Sequence, residues 1–224
     1  MKKIIANLTW KLFPKLGVIR ENFKILAFKQ GQWRSIKNSM AENFQGNPIP
    51  WYTYPAIEYL NSFDFSQCDV FEFGSGNSSL YWALRANQVV SVEDNRDWFE
   101  VVNSRKTTNH TLIYGADEAD YVGTLTAQNN NFDIIVIDGN HRLSCSIAAL
   151  NKIKEDGLIV LDNSDRLIEK ECGKLFRDHG FIQIDFSGFG PINGYCWTTS
   201  VFLKTAKLFA KNFSGPTPIG GLNN

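Results

Sequence analysis

One stretch decides the fold: Val70-Phe71-Glu72-Phe73-Gly74-Ser75-Gly76-Asn77-Ser78-Ser79. The apolar run that it completes, from Cys68 to Phe73, predicts a buried parallel strand. Two glycines end that strand, and the helix-forming residues 80–84 follow soon after. Glycine lets the backbone of such a turn approach a ligand closely, and the amides at the start of the helix would point at that ligand. The stretch therefore predicts the strand, turn and helix that open a nucleotide-binding α/β fold.

Acidic residues flank this turn at two strand ends. Glu72 lies two residues before the first glycine, and a second apolar run ends in Glu93, seventeen residues after Gly76. An acid at the tip of the second strand is the usual partner of a ribose diol. The dinucleotide fingerprint requires a third glycine where this chain has Ser79. The pattern therefore disfavours a nicotinamide dinucleotide and favours a ligand without a pyrophosphate.

These residues resemble motif I of class I S-adenosylmethionine-dependent methyltransferases, and the resemblance covers roughly residues 50–204. It implies S-adenosylmethionine as cofactor, because a carboxylate beside the glycine turn suits a cationic sulfonium and would repel a pyrophosphate. In that family an acid after the third strand contacts the adenine amino group. Asp117 is the matching residue, and aspartate here also suits a helix N-cap. The implied cofactor contacts are Glu72, Gly74, Ser75, Gly76, Asn77, Ser78, Glu93, Asp94, Ala116, Asp117 and Asp138.

The downstream pattern predicts the rest of the sheet. Apolar, β-branched runs predict strands at 89–92, 110–114, 132–137, 157–161, 181–186 and 199–203. The last two have no helix between them, so they should form an antiparallel hairpin. We therefore predict a Rossmann-like, doubly wound α/β sheet of seven strands, mostly parallel, with one antiparallel strand from a C-terminal hairpin. Residues 118–131 show no clear pattern, and the long loop 187–198 is expected to cover a binding site.

Oxygen-bearing side chains end two neighbouring strands of this predicted sheet. Asp138 ends the fourth strand, and Asp162-Asn163 ends the fifth. These positions resemble the ligands of metal-dependent O-methyltransferases of the catechol and caffeoyl-coenzyme A type, and oxygen donors suit Mg²⁺. The alternative is a turn and a helix cap without metal. His141 stands where the caffeoyl-type enzymes have lysine, and with Asp138 it is the candidate catalytic residue, as a general base.

The expected reaction is methylation of a hydroxyl oxygen on a small molecule or a saccharide. Candidate acceptor contacts are Trp51, Tyr52, Arg142, Asn193 and Trp197. The runs 137–142, 161–166 and 197–200 also resemble a group of bacterial methyltransferases to which we attach no substrate. The alternatives are an RNA-directed or membrane-surface methyltransferase and a non-catalytic nucleotide-binding module. A DNA target is disfavoured because the body of the chain is acidic.

Charge divides the chain of 224 residues unevenly although its formal net charge is zero. Residues 1–41 carry nine lysines and arginines against the single acid Glu21, a net of +8, and residues 42–224 carry −8. We divide the chain into a basic helical extension (1–49), with a helix break near Pro14 and Gly17, the cofactor-binding domain (50–204) and a loose tail (205–224). The extension either docks on its own acidic domain or another subunit, in a homo-oligomer, or contacts a membrane surface through residues 1–40. Four scattered cysteines and no apolar run of membrane-spanning length indicate free thiols in a cytoplasmic protein.

Overall fold

A single seven-stranded sheet organises the chain in the computed structural model, which describes residues 14–205, 213 and 215–221. The strand order is β3-β2-β1-β4-β5-β7-β6. The strands are β1 (Asp69–Phe73), β2 (Gln88–Glu93), β3 (His110–Tyr114), β4 (Phe132–Ile137), β5 (Ile153–Leu161), β6 (Ile182–Gly188) and β7 (Trp197–Leu203). The first five pair in parallel, and β7 runs antiparallel to both β5 and β6. The predicted sheet and its antiparallel strand are confirmed.

Helices flank this sheet and join its strands. They are α1 (Pro14–Lys24), α2 (Gln32–Asn38), α3 (Tyr54–Asn61), α4 (Asn77–Ala83), α5 (Arg96–Asn103), α6 (Glu118–Thr126), α7 (Arg142–Leu150) and α8 (Leu167–Asp178). Two apolar clusters form the core, and side chains that alternate along β1, β4 and β5 divide between them. The central strands are buried on both faces, which explains their unbroken apolar sequences. Among the described residues, no helix has the length and apolarity to cross a membrane.

Of the predicted helix break near Pro14 and Gly17, only the part at Gly17 falls within described chain on both sides, and the helix continues there. Helix α1 begins at Pro14, because the first turn of a helix accepts proline, and it continues through the buried Gly17. A π-helical turn, Ile25–Lys29, extends it, and the chain then bends at Gly31, whose φ is 90°. A Cβ at Gly31 would lie 2.5 Å from the carbonyl carbon of Asn43, so this bend requires glycine. Residues 1–13 of the predicted extension lie outside the described residues.

Residues 118–131, which carried no clear pattern in the sequence, contain helix α6. The side chain of Asp117 caps this helix by accepting a hydrogen bond from the amide of Asp120 at 2.9 Å. Tyr121 and Leu125, one turn apart, are buried in the core. Packing of these two side chains stabilises a helix whose glycine and threonines are poor helix formers.

The described part of the tail contacts the domain at two places. Phe213 packs on Phe63, with ring centroids 5.3 Å apart, and the amide of Ile219 donates to Glu58 Oε1 at 3.2 Å. The remaining tail residues, 206–212, 214 and 222–224, lie outside the described residues. All four cysteines are free thiols, with Cys68, Cys145 and Cys172 buried and Cys196 exposed.

Candidate cofactor and acceptor site

The glycine turn follows the carboxyl end of β1 and packs against the residues that follow β4. Gly74 adopts a φ of +88°, and a Cβ there would lie 2.9 Å from the backbone of Gly139. A Cβ on Gly139 would in turn collide with the hydroxyl of Tyr121. Both glycines are therefore required by close approach of backbone to neighbouring atoms. This contact brings the turn beside Asp138, which is the residue before Gly139.

Glu93 ends β2 and holds the glycine turn from the side. Its Oε2 accepts hydrogen bonds from the amide and the hydroxyl of Ser75, both at 2.9 Å, and its Oε1 accepts from the amide of Asn95 at 3.0 Å. The indole Nε1 of Trp98 donates to the carbonyl of Ser75 at 2.5 Å. The position predicted to bind a ribose thus lies directly beside the turn, and Trp98 forms a wall next to it.

Glu72 is fully buried behind the turn and is not among the residues that line the cavity described below. Its Oε2 accepts a hydrogen bond from the hydroxyl of Ser79, and that hydroxyl also accepts from the amide of Gly76 at 3.1 Å. Burial raises the pKa of Glu72 to about 8, and the nearby Glu93 raises it further, against hydrogen bonds from Ser78 and Ser79 that lower it. Among the described residues its Oε1 has no hydrogen-bond partner. Glu72 therefore supports the start of α4 from behind.

The remaining predicted cofactor contacts lie around this turn in different environments. Asn77 and Ser78 line the cavity, and Asn77 is held by a hydrogen bond from its Nδ2 to the carbonyl of Ala41 at 2.6 Å. Asp94 accepts a hydrogen bond from Asn140 at 2.8 Å. Ala116 and Asp117 are exposed and do not line the cavity, and Asp117 caps α6.

Asp138, Asp162 and Asn163 do come together at the ends of β4 and β5, but a guanidinium lies among them. Arg142 Nη2 lies 3.5 Å from Asp138 Oδ1 and 3.2 Å from Asn163 Oδ1, and Nη1 donates to the carbonyl of Asp162. Its Nε donates to the carbonyl of Gly139 at 2.9 Å. Arg142 Nε also lies 3.6 Å from Glu169.

The carboxylate of Asp162 accepts hydrogen bonds from side chains of β7. Its Oδ1 accepts hydrogen bonds from Trp197 Nε1 at 3.0 Å and from the hydroxyl of Thr199 at 2.5 Å. Burial raises its pKa to about 6, while Thr199 and Arg142 oppose the increase. Burial also raises the pKa of Asp138 well above its ordinary value, with the Asp162 charge as second cause, and Arg142 lowers it.

The three residues predicted to bind Mg²⁺ do not fit a metal ion. The Arg142 cation contacts each of the three residues, and a divalent ion at the same place would be repelled by it. In the part of the chain that the structure describes, no group of three or more His, Cys, Asp and Glu side chains could hold a metal. Arg142, predicted to bind an anionic group of the substrate, lines the cavity and is also paired with Asp138 and Glu169 of its own chain.

His141 turns away from this cluster. It adopts a left-handed φ of 51°, and its Nδ1 lies 3.3 Å from Glu118 Oε2 on α6. Its ring also packs near Tyr121, with centroids 5.9 Å apart. Because His141 does not line the cavity, the geometry does not support its prediction as a catalytic base.

A cavity of about 480 Å³ lies between the glycine turn, the Arg142 cluster and the loop before β7. This volume is within the range of small-molecule sites. Trp51, Arg142, Asn193 and Trp197, four of the five candidate acceptor contacts, line it. Tyr52 does not, because its side chain is fully buried in the core, where its hydroxyl accepts from Trp82 Nε1 at 3.5 Å.

Several lining residues were missed in the sequence. Ser39, Met40 and Ala41, at the end of the N-terminal extension, form part of the wall, and Trp98 lies beside the turn. Arg166 lines the cavity from the residue before α8, and the structure gives its side chain no ion pair or hydrogen bond within the described residues. Arg166 ends the run 161–166 that resembles bacterial methyltransferases, and that run was the signal in the sequence that could have indicated it.

Two observations bear on the fit of S-adenosylmethionine. The turn residues Ser75 to Ser78 line the cavity, which continues to Asp138. Glu93 does not line the cavity and holds the turn through Ser75. One cavity therefore extends from the glycine turn to the loop before β7.

No family model and no curated protein sequence matches the chain. Solved structures with the same fold include an O-methyltransferase from Bacillus cereus in complex with S-adenosylhomocysteine (TM-score 0.58, 14% identity, 81% of this chain and 94% of that one). A precorrin-6y C5,15-methyltransferase from Geobacter metallireducens GS-15 has a TM-score of 0.55 at 13% identity, over 76% of this chain and 96% of that one. A methyltransferase from Pyrococcus furiosus has a TM-score of 0.53 at 19% identity, over 79% and 98%. The chain has the fold of class I S-adenosylmethionine-dependent methyltransferases.

Proposed function

We propose that this protein is an S-adenosylmethionine-dependent methyltransferase that methylates a hydroxyl oxygen of a small molecule or saccharide without a metal ion. The observation that supports it best is the continuous cavity that joins the glycine turn to Asp138. Open α/β sheets bind their ligands at this edge, outside the carboxyl ends of the parallel strands. Fold alone does not give an activity, so the proposal depends on these side chains.

Bound S-adenosylmethionine would supply the electrophilic methyl group. The chain would then have to align the acceptor oxygen with that group, and alignment of two bound reactants can provide much of a rate enhancement. Trp51 and Trp197 offer apolar walls for the acceptor, and Arg166 offers a cation at the rim. An acceptor with a carboxylate or phosphate group would suit this rim.

Asp138 is the residue that we assign as general base. About 19% of its side chain is exposed, and it lines the cavity. Burial raises the pKa of Asp138, which makes its carboxylate a stronger base toward a hydroxyl proton than an exposed aspartate is. Arg142 holds the Asp138 carboxylate in place from the side.

Calorimetry with the purified protein tests the cofactor. S-adenosylhomocysteine should bind, and NAD should not, because the turn lacks the third glycine of the dinucleotide fingerprint. Glu93→Ala should weaken S-adenosylhomocysteine binding by about 1.5–3 kcal/mol, the range for hydrogen bonds to a charged group. Binding of NAD without any heat from S-adenosylhomocysteine would overturn the proposal.

A methyl-transfer assay separates a methyltransferase from a module that only binds the nucleotide. Methyl transfer from labelled S-adenosylmethionine to a panel of phenolic and saccharide acceptors should require Asp138. Tight S-adenosylhomocysteine binding with no transfer to any hydroxyl acceptor would favour the non-catalytic alternative.

A further inference from the structure

The N-terminal arm, residues 14–38, exposes an unusual number of large apolar side chains. Leu16, Ile19 and Phe23 are spaced three and four residues apart and so lie on one side of α1. Trp33 and Ile36 are spaced likewise on α2. With Val18 and Phe28, these seven side chains are each between 48% and 63% exposed. Phe23 and Phe28 are in contact, with ring centroids 6.0 Å apart. This concentration of exposed apolar side chains on one short segment indicates an interaction site.

The same arm is strongly cationic. Residues 14–38 carry six basic side chains and one acid, Glu21, a net charge of +5. The basic residues are Lys15, Arg20, Lys24, Lys29, Arg34 and Lys37. Apolar side chains interleaved with lysine and arginine on exposed helices are typical of segments that lie on the surface of an anionic membrane.

The acidic body does not neutralise these cations. Among the residues that the structure describes, Lys24 pairs with Glu21, three residues earlier, at 2.8 Å, and Arg34 lies 4.0 Å from Glu42, shortly after the arm. Lys15, Arg20, Lys29 and Lys37 have no ion pair or side-chain hydrogen bond among the described residues. The arm attaches through uncharged donors instead: Gln30 donates to Glu58 at 2.7 Å, and Gln32 donates to the carbonyl of Gly190 at 2.9 Å.

We propose that the arm docks this protein on anionic phospholipid surfaces, with its apolar side chains in the headgroup region and its free cations on the lipid phosphates. Each lysine or arginine near such a surface adds to the attraction, and Trp33 suits the interface because its ring is both apolar and a hydrogen-bond donor. The arm leads directly into Ser39–Ala41, which line the cavity. Docking would therefore hold the active site close to the membrane.

Two other occupants suit the arm less well. In a symmetric dimer in which the two arms meet, two segments of +5 would face each other and repel. A nucleic acid would attract the cations, but the aliphatic Leu16, Val18, Ile19 and Ile36 have no partner on a phosphate backbone. Only a lipid surface uses both the charge and the apolar side chains.

Co-sedimentation of the full chain with vesicles tests the proposal. We expect binding to vesicles of phosphatidylcholine with phosphatidylglycerol, and little binding to phosphatidylcholine alone. The double variant Lys29→Glu, Lys37→Glu should reduce the partition coefficient by at least about tenfold. Ile19→Ser with Phe23→Ser should reduce it to a similar extent. Equally exposed residues elsewhere, Ile147→Ser with Leu167→Ser and Lys170→Glu, are the matched controls and should bind as the wild type does.

Tryptophan fluorescence locates the contact without depending on affinity. Anionic vesicles should shift the emission of the wild type to shorter wavelength, and Trp33→Phe should lose most of that shift. Binding that is equal on neutral vesicles, or that the arm variants leave unchanged, overturns the proposal. So does a dimer in sedimentation velocity that the arm variants dissociate without any lipid binding. Binding to an RNA oligonucleotide that needs the lysines but not Ile19 and Phe23, without lipid binding, would also overturn it.

Discussion

At the scale of single residues, the buried Glu72 makes stability depend on pH. Its pKa is about 8 in the folded chain and near 4.3 when unfolded, so between these values only the folded state holds the proton. The free energy of unfolding contributed by this group therefore falls as pH rises through that window.

We expect Glu72→Gln to remove this decline, because the amide keeps the shape and the contact with Ser79 but cannot ionise. Between pH 5 and pH 8 the wild type should lose about 1–3 kcal/mol more than the variant in urea unfolding. Glu100→Gln, at an exposed pair with Arg96, is the control and should follow the wild type. Parallel wild-type and Glu72→Gln profiles would show that Glu72 has an ordinary pKa.

The second prediction at this scale separates the two candidate bases. Asp138→Asn should reduce kcat by roughly 10²–10⁴-fold, the range for loss of a general base, with S-adenosylhomocysteine binding little changed. His141→Ala should leave kcat close to that of the wild type, because His141 contacts Glu118 and does not line the cavity. Steady-state kinetics with an acceptor found in the panel measure both values. A larger loss in His141→Ala than in Asp138→Asn would reverse the assignment.

At the scale of elements, the ends of β4 and β5 are joined to α7 and α8 by the Arg142 cation. Arg142→Ala should reduce the free energy of unfolding by about 3–5 kcal/mol, because it leaves Asp138 and Glu169 buried without their partner. Arg96→Ala, which removes an exposed pair with Glu100, should change it by at most about 1 kcal/mol.

The same cluster predicts independence from metal. EDTA should change neither methyl transfer nor the melting temperature, and millimolar Mg²⁺ should not raise the melting temperature of the wild type. Differential scanning fluorimetry with and without the ion measures the second effect. A rise in melting temperature with Mg²⁺ that Asp162→Ala abolishes would restore the metal-assisted mechanism.

Two glycines test the close packing of the turn against β4 and α6. Gly139→Ala should prevent S-adenosylhomocysteine binding or folding, because its Cβ collides with Tyr121 and with Gly74. Gly123→Ala is the matched control within α6, where a Cβ meets nothing within 4 Å. That substitution should stabilise the protein by roughly 0.5–1 kcal/mol, as alanine does within a helix. Calorimetry and urea unfolding measure both variants.

At the scale of the whole molecule, the N-terminal extension forms part of the cavity wall through Ser39, Met40 and Ala41. It is joined to α4 by Asn77 and to the loop before β7 by Gln32. Deleting residues 1–40 should therefore lower the melting temperature, and it should open one side of the cavity. Gln32→Ala should give a smaller decrease in the same direction. An unchanged melting temperature after the deletion would show that the extension does not stabilise the domain.

The sequence by itself determined the sheet and the turn at its centre. Unbroken apolar runs such as 132–137 can be buried on both faces only in the middle of a sheet, and two glycines at a strand end leave few other conformations. Local pattern is sufficient for these features because burial and backbone freedom are properties of the residues themselves. The placement of Asp138, Asp162 and Asn163 together followed from the strand order alone.

The tertiary structure alone decided which of those side chains are free. The sequence did not show that Arg142 is paired with Asp138 at the end of β4 and with Glu169 on α8, or that Tyr52 is buried beside Trp82. The sequence did not predict helix α6, because its local helix propensity is weak and long-range packing of Tyr121 and Leu125 stabilises it. Partners distant in sequence compete for each polar group, and that competition is settled only when the chain is packed.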